Sequence, residues 1–96
     1  MKNSLFDWDN ANTYHIAERD VTPTEAEEAI LADPLDAGIY SDSAAGERWV
    51  FLGQTNIGRV LLVVSTLLGK KIRVVAAFEP PKQDKLLYLE SQAGQS

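Results

Sequence analysis

The chain has 96 residues, 45% of them hydrophobic, with a net charge of −5 and no cysteine. That length supports one core and not two, so a single domain over 1–96 is expected, with its core at 5–91 and a fraying tail at 92–96. Disulfides and thiolate metal sites are excluded, no run approaches the roughly 18 apolar residues of a membrane span, and the first residues lack the apolar core of a leader; the expected setting is the cytoplasm.

The charge is unevenly spread. Residues 1–46 carry two basic and ten acidic side chains, net −8, whereas 47–96 carry seven basic and four acidic, net +3. The second half is mildly basic, without the dense cluster of cations that neutralises several phosphates at once, so nucleic acid is permitted by charge and not indicated by it.

In chain order, Leu5-Phe6-Asp7-Trp8 alternates apolar and polar residues and is expected to be a short edge strand. Asp9 is an N-cap residue, and Ala11, Tyr14, His15 and Ile16 recur at helical spacing, which predicts a helix over 10–19 with a narrow apolar side. Thr22-Pro23-Thr24-Glu25 is a stronger start signal: a capping threonine, a proline where a missing N–H costs nothing, and a glutamate that completes a capping box. The helix it opens should run to Leu31, with Ala26, Ala29 and Ile30 inward, and stop at Asp33-Pro34.

Strands are then expected near 38–41, 47–53, 59–67 and 71–78, following one another as an antiparallel meander. The loops between them carry Ser41–Glu47, Gln54–Gly58 and Leu68-Gly69-Lys70. The two central strands, RVLLVV and KIRVVAAF, are continuous apolar runs that need cover on at least one face. Val60, Leu62, Val64, Ile72, Val74 and Ala76 are the expected inner positions. Pro80-Pro81 ends the sheet, and a last helix over 82–91 presents Leu86, Leu87 and Leu89 in directions too divergent for one core, so at least one should be exposed. The fold class is therefore α+β: an antiparallel sheet of about four main strands plus a short N-terminal strand, two N-terminal helices and one C-terminal helix.

Few residues suggest chemistry by themselves. His15, the only histidine, is either a general base or a half-buried polar residue on a helix. Arg73 lies within an apolar strand and must reach solvent, a carboxylate or an anion, which leaves a structural ion pair and a phosphate contact both open. Asp84 and Tyr88, four apart, share a helix face. Trp8 and Trp49 are core or interface aromatics, or else platforms for bases. No set of residues has metal-ligand spacing, and neither a metal nor a cofactor is expected.

The ordered segments resemble a known family. FDWDNANTYHIAERDVTPTEAEEAILADP resembles the N-terminal signature of the BrnT toxins, and ERWVFLGQTNIGRVLLVV followed by KIRVVAA resembles their central sheet; the likeness spans about 6–90. It implies a RelE-like, metal-independent endoribonuclease toxin of bacterial type II toxin–antitoxin systems, neutralised by a BrnA-type ribbon-helix-helix antitoxin that also binds operator DNA. By that resemblance Arg73, with Lys71, Lys82 or Lys85, would hold the RNA phosphate, His15 or Asp84 would move a proton, and Tyr88 would orient the substrate.

The chain also departs from the pattern. Phe78 stands where the family strand ends in arginine, and Pro80-Pro81 and Leu86-Leu87 replace a polar, basic stretch. Losing a cation that stabilises developing phosphate charge removes several kcal/mol of catalysis, on the order of 3 in comparable sites. The alternative expectation is thus a catalytically degenerate relative that forms a homodimer or an antitoxin complex without cleaving RNA.

Overall fold

A computed structural model describes residues 5–32, 35–42 and 46–93. Three helices, α1 (Asn10–Ala17), α2 (Pro23–Leu31) and α3 (Lys82–Ala93), surround an antiparallel sheet of β1 (Leu35–Asp42), β2 (Gly46–Gln54), β3 (Val60–Leu68) and β4 (Lys71–Phe78) in that spatial order. The class is α+β. The loop expectation at 43–45 and the stop at Asp33-Pro34 lie outside the described residues.

Both N-terminal helices begin with reciprocal caps. The Asp9 carboxylate accepts the Asn12 amide while the Asn12 side chain accepts the Asp9 amide; Thr22 and Glu25 do the same for α2. α1 ends at Ala17, two residues before the expected end, because Asp20 adopts a left-handed φ of 61° and the Val21 amide returns to the Ile16 carbonyl at 3.1 Å. This closure turns Val21 and Ile16 together into the core, where both are almost wholly buried.

The expected N-terminal strand is a single parallel bridge between Phe6 and Ile72. Asp7 donates its amide to the Ile72 carbonyl and Ile72 donates to Leu5, each at 2.8 Å, before the chain leaves the sheet to cap α1. Asp9 is committed to that cap, so the strand cannot continue past Trp8.

The inner face also differs from expectation. Under α1 and α2 lie Leu61 and Val63 of β3 with Val74 and Ala77 of β4, joined by Phe6, Ile16, Val21, Ala26 and Ala29. Val60 and Leu62 face the other side, where Leu52 and Tyr88 complete a smaller cluster. Val64 and Ala76 pair with each other and are only half-buried. A bulge opposite Val64 and Ser65 skips Val75, so Val74 and Ala77, three residues apart, share one face. An uninterrupted apolar run carries no parity, so alternation could not reveal which set lay beneath the two helices.

α2 reaches the sheet most closely at Gly53. A Cβ there would overlap the Ala29 carbonyl, a collision with helix backbone that no side-chain adjustment relieves. Leu61→Ala should therefore cost about 2–5 kcal/mol, Leu62→Ala clearly less, and Gly53→Ala should destabilise despite adding only one methyl group. Urea unfolding of the three variants checks this; a larger loss at Leu62 than at Leu61 would contradict the assignment of faces.

Candidate functional site

α1 lies along β4, and the two form a shallow concavity of about 330 Å³ lined by Ala11, Asn12, His15, Arg73, Val74 and Val75. Its geometry follows from the N-terminal cap. Asn12 is 5% exposed, and its amide nitrogen donates to the Asp7 carbonyl and to the Val74 carbonyl, both at 3.1 Å. Its oxygen accepts the Asp9 amide at 2.9 Å. A buried asparagine with every polar atom engaged thus fixes the helix to the strand.

The same arrangement brings two carboxylates to Arg73. Its Nη1 lies 2.8 Å from Asp7 Oδ2 and 3.1 Å from Asp9 Oδ2, and its Nη2 donates to Asp9 Oδ1 at 3.2 Å. Of the two roles left open by the sequence, Arg73 takes the ion pair. The hydrogen bond from Arg73, then that from the Asn12 amide, holds Asp9 below its ordinary value, while the two aspartates hold Arg73 more firmly protonated. The cluster of one guanidinium and two carboxylates sums to −1, which does not attract a phosphate.

His15 stands at the rim, 60% exposed, with Nδ1 3.8 Å from Glu18 Oε1. It shares the concavity with Arg73. The other expected site residues lie elsewhere. Lys71 is exposed at the start of β4, whereas Lys82, Asp84, Lys85 and Tyr88 belong to α3, which packs through Tyr88 on the opposite face of the sheet. Tyr88 is 1% exposed against Leu52 and Val60, so it anchors the helix and presents no surface to a substrate. Lys85 approaches Glu79 at 3.7 Å, and Asp84 is half-buried in the first turn. The expected constellation is therefore divided across the sheet: His15 with Arg73 on one side, the α3 residues on the other.

Three participants were not singled out in the sequence. Asn12 was signalled by its place three residues after the Asp9 cap. Arg19 lies over Phe78, its guanidinium carbon 5.3 Å from the ring centroid, and so brings a cation to the end of β4. Arg59 donates Nη1 to both Glu25 oxygens at 3.0 and 3.1 Å and to the Asp20 carbonyl at 2.7 Å, and Nε to Glu79 at 2.8 Å. Burial pushes Glu25 up, but the Thr22 amide and Arg59 outweigh it and hold the carboxyl below its ordinary value; Arg59 does the same for Glu79.

Trp8 packs at the edge of the core and donates to Glu27 at 2.7 Å, which settles it as structural. Trp49 lines an apolar groove of about 220 Å³ with Ile30, Phe51, Leu67 and Ile72, beside α2. Among the described residues no group of histidine, aspartate and glutamate is placed to hold a metal ion, and no helix is long and apolar enough to cross a membrane. No protein-family model matches the chain, and no curated protein or solved structure does either.

Asp9, Glu25 and Glu79 all have depressed pKa values in the folded chain, so the unfolded chain binds more protons in acid and stability must rise with pH. Their contribution is complete above the ordinary carboxylate values of 3.8 and 4.5 and is lost as pH falls through the lower folded-state values. Melting temperature should thus fall on acidification below about pH 5, and less steeply in Arg59→Met, which should also lose about 1–3 kcal/mol at neutral pH. Parallel acid profiles for the two proteins would contradict the pairing.

Proposed function

We propose that this chain is the toxin-type component of a toxin–antitoxin pair, a BrnT-like domain of RelE-like architecture that works in complex with a BrnA-type ribbon-helix-helix antitoxin. The observation that carries the reading is where the resembling segments fall. FDWD supplies the bridge to β4 and the α1 cap, TPTEA opens α2 through its capping box, and RVLLVV and KIRVVAA form the adjoining strands β3 and β4. The resembling residues are thus the ones that build a single unit rather than scattered likenesses.

Complex formation is favoured over catalysis. An RNA phosphate approaching Arg73 would have to displace Asp7 and Asp9 from a guanidinium they already engage in three contacts of 2.8 to 3.2 Å. Tyr88 is enclosed, and Lys82 and Lys85 belong to the helix on the far side of the sheet.

A second reading, a metal-independent endoribonuclease, draws on one observation: His15 and Arg73 do share a concavity, and Arg19 supplies a guanidinium over Phe78. RNA cleaved in the presence of EDTA, and left intact by Arg73→Ala and by His15→Ala, would favour it.

The leading reading is tested by expressing the chain alone and together with the ribbon-helix-helix protein encoded beside it. The expected result is unimpaired growth and intact RNA when alone, with the two proteins co-eluting as a complex when together. Separate elution of the two folded proteins would overturn it.

A further inference from the structure

α3 has one face toward the sheet and another that no described residue covers. With about 100° between successive residues, Asp84, Lys85, Ser91 and Gln92 lie on the side of Tyr88, and these are the half-buried positions of the helix. Leu86 points away, with Leu87 and Leu89 about 100° to either side of Tyr88, and the three remain 49%, 54% and 42% exposed. Lys82 and Glu90 flank Leu86 on the same outer side, also exposed, and among the described residues neither forms an ion pair.

Those two charges oppose the helix that carries them. Lys82 opens α3, where the amide ends favour an anion, and Glu90 lies toward its end, where the carbonyls favour a cation and no basic residue is present. An antiparallel helix of the same sequence corrects both faults at once. Leu86 is midway between Lys82 and Glu90, so a two-fold axis through Leu86 sets each Lys82 against the partner's Glu90 and the two Leu86 side chains against each other.

We infer that the chain self-associates through an antiparallel α3–α3 contact centred on Leu86 and closed at each end by a Lys82–Glu90 pair between copies. The contact is isologous, so every interaction occurs twice and the assembly closes at a dimer. One helix pair is small beside a standard interface of roughly 1,600 Å², so the dimer is weak and dissociates on dilution. This inference uses neither the concavity at Arg73 nor an antitoxin, and stands apart from the function proposed above.

Sedimentation velocity from about 10 µM to about 1 mM tests it, a range in which a weak dimer dissociates on dilution. The mass of the unmodified chain should rise from monomer toward dimer. Leu86→Glu should stay monomeric throughout; because Leu86 is exposed, the variant should keep its circular dichroism. Lys82→Glu and Glu90→Lys each place like charges at both ends of the contact and should each dissociate about tenfold more readily. Mixed in equal amounts, the two charge variants should form a heterodimer, since one copy then carries only glutamates and the other only lysines at these positions. A chain that remains monomeric at the highest concentration overturns the inference, as does a dimer indifferent to Leu86→Glu or a mixture that associates no better than its components.

Discussion

The edge of β4 has to be closed without a further strand, and Asn12 is the side chain that closes it. The N-terminal segment pairs with Ile72 for a single bridge and then turns away to begin α1, which leaves the Val74 carbonyl facing the helix. The Asn12 amide group fills that position as a backbone amide would, and its other contacts tie it to Asp7 and Asp9. Aspartate could not donate and leucine could not accept; a buried carbonyl left without a donor costs about 1–3 kcal/mol.

This closure decides the chemistry of the nearby surface. Because Asn12 holds both ends of the Asp7–Asp9 turn, the two carboxylates stay beside Arg73 and neutralise it. Arg59 performs a comparable service at the other end of the sheet, joining the α1–α2 turn, the start of α2 and the residue after β4. Both arginines could have held an anion; each is instead a clasp between segments distant in sequence. The exposed opportunities lie elsewhere, in the apolar groove beside Trp49 and along the outer side of α3.

What could be read in the sequence was local. Thr22-Pro23 with Glu25 marked α2 because a capping box uses residues three apart, and the strand order followed from turns between short β-branched runs. The parity of β3 was illegible because RVLLVV is apolar at odd and even positions alike, and the bulge at Val75 leaves no mark in composition. Arg73 could be recognised as a residue needing a partner, but its partners lie 66 and 64 positions earlier, beyond any local pattern. Tyr88 was misplaced for a similar reason. Among three leucines it was the least apolar residue of its stretch, yet it is the one that docks the helix, against the surface formed by Leu52 and Val60.

Native-state hydrogen exchange on Asn12→Ala tests most directly whether this one side chain fastens the N-terminal segment to the sheet. The amides of Asp7 and Ile72, which bond across the bridge, should lose protection by a much larger factor than that of Val63 in the buried central strand, because the segment would open without the sheet unfolding. Equal loss at all three sites, or unchanged protection at Asp7 and Ile72, would contradict the role given to Asn12.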